Sequence, residues 1–229
     1  MTEKLYYYPE IFNVQNEQAA RAIILTNEGP GADTDTRWAQ ETPYIVDLLK
    51  TNLQPGPADL ILDYGCGIGR LAKALIQQCG CQVIGVDISP EMRRLSLDYV
   101  GSERFTAVSP EILDSMIAGG LRLSGAFCIW VLQHCFAPDR DIAKIKTALR
   151  GDGKFFVINM PQRAIPVRRE TDQDDAKSSQ FGWSSDNINV HDLLAAEFTV
   201  MAEGDIDMTM IPNPADAGAY WMKLVKATG

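Results

Sequence analysis

The chain is 229 residues long, 46% hydrophobic and 22% charged, with a formal net charge of −9. That length suits one domain with a sizeable core, and the acidic balance argues against a long nucleic-acid footprint, which needs basic surface opposite phosphate. No apolar run reaches the roughly 18 residues of a membrane span and the opening residues lack a secretory apolar stretch, so a cytoplasmic protein with a small-molecule substrate is expected.

In chain order, Tyr6, Tyr7 and Tyr8 come first, ahead of a helix expected around Val14–Leu25 and a turn-rich stretch from Asn27 to Asp33. Tyr7 and Tyr8 suit either a substrate lid or aromatic anchors for an N-terminal arm. A second helix is expected from Thr36, read as its cap, to about Leu53, with Trp38, Ile45, Leu48 and Leu49 on one side. Residues 1–54 thus read as a helical cap on a single domain spanning 1–229.

Leu60, Ile61 and Leu62 form the apolar run of a buried parallel strand, with Asp63 at its end. Gly65, Gly67 and Gly69 alternate through a turn, and from Arg70 the pattern becomes helical through Leu71, Ala74, Leu75 and Gln78. A ligand can approach such a loop closely, because glycine has no side chain in the way and tolerates positive φ. Asp63 adds negative charge beside it, which suits a ligand with a cationic end better than a phosphate. A second apolar run, Val83–Val86, ends in Asp87, where a carboxylate can accept both hydroxyls of a ribose.

The alternation then continues. A helix from Pro90 carries Met92, Leu95, Leu97 and Val100, and Phe105–Val108 reads as the third strand. Pro110–Ile117 is a helix, Ala126–Val131 the fourth strand, Pro138–Ala148 a helix, and Gly153–Asn159 the fifth strand. Val190–Glu197, Phe198–Asp207 and Tyr220–Lys226 close the chain as helix, strand and strand. Strands alternating with helices predict an α/β fold: a doubly wound, mostly parallel seven-stranded sheet, Rossmann-like, with an antiparallel C-terminal strand. Right-handed crossovers put the strand ends, and therefore the site, on one edge.

Four motifs in order carry a family resemblance. They are Asp63-Tyr-Gly65-Cys66-Gly67-Ile-Gly69, Val-Asp87-Ile88-Ser-Pro-Glu-Met92, Cys128-Ile129-Trp130-Val-Leu-Gln-His134, and Leu149-Arg-Gly-Asp-Gly153-Lys-Phe-Phe-Val. Together they resemble class I S-adenosylmethionine (SAM) methyltransferases over roughly residues 55–160. The resemblance implies SAM as cofactor, held by Asp63, Gly65, Cys66, Gly67, Gly69, Asp87, Ile88 and Met92, with Ile129 and Trp130 at the fourth strand. It also implies a helix over the methionine end of the cofactor, which nominates Arg37 and Trp38. Where the family has an acid beside the adenine after the third strand, this chain has Ser109, whose hydroxyl can bond the adenine amino group, and the resemblance nominates it with Pro110 and Glu111 as cofactor contacts. Where it opens the fourth strand with Phe-Asp, Leu123 and Ser124 stand instead.

Two rivals stay open beside a methyltransferase. The spacing Gly67-x-Gly69-x-x-Ala72, with Asp87 beyond, also satisfies a dinucleotide pattern and a nicotinamide-dependent oxidoreductase, although it leaves Asp63 and Gly65 unexplained. A SAM-binding partner or sensor without transferase activity would carry the same fingerprint.

Residues 160–189 break the alternation. Arg163, Arg168 and Arg169 precede Glu170, Asp172, Asp174 and Asp175, and the excursion leaves from the ligand edge of the sheet. A lid and a solvated connection both fit it. Methyl transfer from a sulfonium asks the protein mainly for positioning and dryness, plus removal of a proton from a hydroxyl or protonated amine. His134, just past the fourth strand, is the better placed of two histidines to act as that base; a structural hydrogen bond is its other reading. Asn159, at the fifth-strand tip, joins Tyr7 and Tyr8 as a candidate substrate contact. The five cysteines form no CxxC pair and no zinc or carboxylate cluster stands out, so no metal is expected.

Overall fold

The computed structural model describes residues 4–169, 182–211 and 220–227. Its main sheet joins β2 (Leu60–Tyr64), β3 (Gln82–Val86), β4 (Phe105–Val108), β5 (Leu123–Ile129), β6 (Leu149–Asn159), β9 (Thr199–Asp205) and β10 (Trp221–Lys226). The order across it is β4-β3-β2-β5-β6-β10-β9. The first five strands run parallel, and β10 is antiparallel to both of its neighbours. This is the doubly wound seven-stranded sheet expected from the alternation.

Period-two alternation along the strands sends side chains into two separate cores. On one face Ile61, Val83, Phe127, Phe156 and Ile158 pack against α2 (Thr34–Leu53), α3 (Arg70–Cys79) and α4 (Pro90–Val100). On the other, Leu62, Ile84, Ala126, Cys128, Phe155 and Val157 meet α5 (Pro110–Ala118), α6 (Pro138–Ala148) and α7 (Val190–Glu197). Neighbours in one strand therefore separate: Asp63 faces the α2–α3 side, whereas the Tyr64 hydroxyl donates to Asp141 on α6 at 2.5 Å. Gly85 must be small, because a Cβ there would lie 2.7 Å from Cys66 Sγ and 2.8 Å from the Phe105 ring.

Helix starts follow local hydrogen bonding. Ser89 and Ser109 cap α4 and α5, each ahead of a proline, which needs no N–H in the first turn. Asn16 caps α1 (Glu17–Ile24), which is shorter than the expected Val14–Leu25. Asp33, not Thr36, caps α2: its carboxylate accepts from the N–H groups of Asp35 and Thr36 and from the Thr36 hydroxyl. A carboxylate also meets the positive end of the helix dipole, which a threonine hydroxyl cannot do. The fourth strand ends at Ile129 rather than Val131, because Trp130 turns out of it with φ +58°.

Three short strands that the periodicity did not reveal form a second sheet. β1 (Leu5–Tyr7), β7 (Ile165–Arg169) and β8 (Gly182–Ser184) pair antiparallel in the order β1-β7-β8. Tyr7 stands opposite Val167, and the Tyr8 N–H donates to the Pro166 carbonyl at 2.9 Å. The two segments outside the regular alternation are thus partners of each other. The acidic run Glu170, Asp172, Asp174 and Asp175 lies outside the described residues. No described helix is long and apolar enough to cross a membrane.

Candidate active site at the strand tips

The loop after β2 is fixed by its own backbone. The N–H groups of Gly65 and Cys66 both donate to the Val86 carbonyl, at 2.7 and 2.9 Å, which ties the loop to the tip of β3. Gly65, Gly67 and Gly69 have φ of +82°, +54° and +78°, the left-handed region that favours glycine. At Gly65 a Cβ would also sit 2.2 Å from Val131 Cγ2. Cys66 is buried, its thiol pushed well above the ordinary range by desolvation, so it serves as a small loop residue and not as a nucleophile.

Two carboxyls meet at this edge. Asp87 Oδ2 accepts from Gly67 N at 2.8 Å and Oδ1 from Ser89 N at 2.9 Å, so the group is held rigidly. Asp63 is 5% exposed. Burial first, and the nearby Asp87 second, push it up to about 8, against a weaker pull from Arg70. Burial also raises Asp87, and its backbone N–H bonds oppose that rise. Ile88, beside Asp87, is 46% exposed and offers an apolar surface next to it.

Other residues nominated for contacts have partners within the fold. Met92 is buried among Val14, Ala20 and Ile68 under α1, as core. Arg37 is buried too: its Nε donates to Glu41 Oε1 at 2.7 Å and Nη1 to the Thr26 carbonyl at 2.9 Å, closing the 26–28 turn onto α2. Asn159, expected at the substrate, is 1% exposed; its Oδ1 accepts from Gln133 N at 3.2 Å and Nδ2 donates to the Met160 carbonyl at 3.4 Å. Each fills an apolar or polar gap that periodicity cannot distinguish from a ligand contact. The Ser109 hydroxyl caps Ile112 N at 3.4 Å and hydrogen-bonds Glu111, lowering the pKa of that acid. Ser109, Pro110 and exposed Glu111 stand together at the tip of β4.

Trp38 lies half-buried between two guanidiniums, with Arg21 at 4.7 Å and Arg70 at 5.4 Å from its ring centre. Ile129 and Trp130 are half-buried at the tip of β5, where Trp130 N donates to the Ile158 carbonyl at 2.8 Å. Sequence reasoning did not find Glu41, Arg70 and Gln133, which join these residues. The Arg37–Glu41 spacing of four on a helix was the one available signal.

His134 sits between the N-terminal arm and the excursion, its ring 5.8 Å from Phe12 and 5.3 Å from Trp183. A carbonyl can only accept, so the 2.6 Å contact of Nδ1 with the Ala164 carbonyl places the ring hydrogen on Nδ1. The Gln133 amide donates to Nε2 at 3.1 Å, and its orientation is set by Met160 N donating to its Oε1 at 2.8 Å. Burial lowers the pKa of the ring below the usual imidazole range and keeps it neutral. Tyr7 lies against Phe136 at 5.5 Å, with its hydroxyl pKa raised chiefly by burial, and the Tyr8 ring stacks under Arg168 at 5.4 Å. Arg163 bonds Asp186 at 2.5 Å and the Cys135 carbonyl, securing the start of the excursion.

This donor set fits SAM. Asp63 offers a buried carboxyl to a cationic group, Asp87 offers free lone pairs on both oxygens to a ribose diol, Ile88 offers a face to adenine, and the glycines keep side chains out of the loop. A phosphate would meet two acids here.

The comparisons agree. Residues 62–157 match the family model described as a methyltransferase domain. The chain is 28% identical over 148 residues to the tRNA U34 carboxymethyltransferase of Saccharophagus degradans, covering 62% of this chain and 45% of that protein. It is 35% identical over 100 residues to the ribosomal protein L11 methyltransferase of Nitrosomonas europaea, covering 41% and 31%. The chain therefore spans less than half the length of these curated relatives. Among solved structures, the Burkholderia thailandensis 1,6-didemethyltoxoflavin-N1-methyltransferase, bound to 1,6-didemethyltoxoflavin and S-adenosylhomocysteine, superposes with a TM-score of 0.59. It is 22% identical, over 100% of this chain and 96% of that one, a likeness of fold. Residues 62–157 thus match a methyltransferase domain, and the sheet order agrees with the fold of class I SAM-dependent methyltransferases.

Proposed function

We propose that the chain, acting as one domain, moves a methyl group from SAM to a nitrogen, oxygen or carbon nucleophile of a small molecule. The observation that carries this is the pair Asp63 and Asp87 at the tips of adjacent strands, with Asp87 hydrogen-bonded to the glycine loop itself. In this reading Asp63 faces the cofactor's ammonium group, Asp87 its ribose, and Ile88 with Ser109 and Glu111 its adenine. SAM supplies the electrophilic methyl; the residues of the chain supply alignment, which can lower a barrier by roughly 7–11 kcal/mol. The second sheet, with Tyr7, Tyr8, Phe12 and Trp183, covers the edge and keeps water from the reacting atoms. His134 is the proposed base: with its hydrogen on Nδ1, the basic lone pair is on Nε2, and it accepts the substrate proton when the Gln133 amide yields.

A net charge of −9 supports a small-molecule acceptor over tRNA, since phosphate recognition needs cationic surface. The test has two steps. Calorimetry with S-adenosylhomocysteine should show binding, and labelled SAM should then pass its methyl to a member of a small-metabolite panel. Label in tRNA or in a ribosomal protein would reassign the substrate. Binding without any transfer would favour a cofactor-binding partner protein.

A further inference from the structure

The three-stranded sheet has two faces, and only one of them meets the strand edge. Opposed residues of an antiparallel pair point to the same side, and successive residues alternate. The register therefore sets Tyr6 with Arg168 and Pro166 with Trp183 on one face, and Tyr7 with Val167 on the other. Tyr7 packs on Phe136. Tyr8, two residues after Tyr6, returns to the first face, with its ring under Arg168. That first face is the one that reaches His134, through Trp183.

His134 is framed by rings from two distant parts of the chain. The Trp183 ring is 5.3 Å away and tilted by 43°; the Phe12 ring, at the end of the short helix Pro9–Phe12, is 5.8 Å away and tilted by 56°. The frame is accessible to solvent: Trp183 is 52% exposed and Tyr6 42%, while Phe12 and His134 are half-buried. Aromatic area left open beside a base is what a flat apolar ligand would cover, and ring-on-ring contact adds to the gain from burial alone. A cationic amine would find no counter-charge here, because burial and the Ala164 carbonyl act on the His134 ring and no carboxylate among the described residues does. Burial also makes that ring a weak base, so it matches an acceptor that gives its proton up readily. A phenol, like tyrosine at about 10, is within reach; an aliphatic hydroxyl, close to water at about 15.7, is not.

We infer that the methyl acceptor is a flat aromatic molecule with an acidic hydrogen on its ring system, a phenol O–H or an azole N–H, seated against Trp183 and Phe12 with that hydrogen on His134 Nε2. This rests on the methyl-transfer reading above and names the substrate class for it. The step balances within these groups. The acceptor's oxygen or nitrogen bonds to the methyl carbon as the S–CH3 bond breaks, and the bonding pair stays on sulfur, which passes from sulfonium to neutral thioether. The acceptor's proton goes to Nε2, so the positive charge leaves the sulfur and appears on the imidazolium. The Gln133 amide, which donates to Nε2 at 3.1 Å, gives way to the acceptor.

The test separates the acceptor class from the reading beneath it. Calorimetry on the chain saturated with S-adenosylhomocysteine uses 2-naphthol and benzimidazole as aromatic probes. Decahydro-2-naphthol keeps the hydroxyl but loses the flat ring, and 2-methoxynaphthalene keeps the ring but loses the hydrogen. The tighter aromatic probe should bind at least about tenfold better than decahydro-2-naphthol and about threefold better than 2-methoxynaphthalene. Trp183→Leu should weaken that probe by at least about fivefold and Trp183→Phe by no more than about twofold, since a phenyl ring restores the stacking. Decahydro-2-naphthol should bind all three chains within about twofold. Thermal melting checks folding; should Trp183→Leu not fold, the probes on the wild-type chain decide alone. Equal affinity for flat and saturated probes, or an equal loss of both in Trp183→Leu, would overturn the acceptor class and leave the cofactor reading standing. A wild-type chain that does not bind S-adenosylhomocysteine would overturn the cofactor reading itself, and the acceptor class with it.

Discussion

The two halves of the strand edge are held in different ways. On the β2–β3 side, Asp87 is fixed by N–H groups two residues ahead and on the adjoining loop, and the loop in turn hangs from the Val86 carbonyl. On the β5–β6 side, His134 and Gln133 are fixed by the Met160 N–H and the Ala164 carbonyl, roughly thirty residues away, and the cover over them is a three-stranded sheet assembled from both ends of the fold. The first half is a rigid backbone device that any substrate can share. The second depends on side chains and on pairing across long sequence distance, and it is the half that can diverge without disturbing the first.

That contrast breaks most severely at Gly65. Its φ of +82° and the 2.2 Å approach of Val131 mean that Gly65→Ala should cost about 2–4 kcal/mol of folding stability, read by urea unfolding. A loss below about 1 kcal/mol would show that the loop is not rigid. On the other half, His134→Phe keeps a ring between Phe12 and Trp183 but deletes both hydrogen bonds. Methyl transfer should fall by about 100-fold, the lower end of general-base effects, with S-adenosylhomocysteine affinity changed by no more than about twofold. Loss of affinity alongside rate would merge the two halves.

Asp87→Ala sharpens the comparison from the rigid side. It should weaken S-adenosylhomocysteine by more than about tenfold, the value of a charge-assisted hydrogen bond to a diol, and leave amide exchange in β1 and β7 unaltered. The smallest effect is a pH dependence. With Asp63 raised to about 8, the incoming ammonium must displace its proton below that pH, so affinity should climb towards pH 8 by at most about tenfold per unit and then flatten. The sign for stability is opposite. Between the ordinary carboxyl value of 3.8 and about 8 the folded chain keeps a proton that the unfolded chain has lost, so the ligand-free protein should lose stability as pH rises through that window. Asp63→Asn should flatten both curves; a profile unchanged by it would remove Asp63 from the site.

What could be read from the chain follows the same division. The strand–glycine–helix unit, both acids and the sheet class were legible because each depends on neighbours within a few residues, where apolar period and glycine placement act directly. The capping of α2 was misread by three residues, since Thr36 and Asp33 are both good caps and only the backbone geometry at Asp33 decides. Arg37 and Met92 sit on helices near the loop, but spacing cannot say that Glu41 claims the first and α1 buries the second. The second sheet was invisible, because Leu5–Tyr7 and Gly182–Ser184 are too short to show a period and find strand partners only through β7. Trp130 was nominated from family likeness, whereas its missing hydrogen-bond partner emerges only when the fold closes around it.

The sheet order also has a consequence for how the chain is made. β9 precedes β10 in sequence yet lies outside it, paired among the described residues only to β10, so it has no place to dock until residues 221–226 have joined β6. During synthesis, β6 therefore waits with an open edge bearing Phe155, Phe156, Val157 and Ile158 while some sixty further residues emerge. An unpaired apolar edge of that kind invites pairing with another nascent chain. β10, made after β9, is thus the strand that seals the sheet, and a ribosome stalled short of Trp221 would present an unsealed, sticky edge to the cell's chaperones.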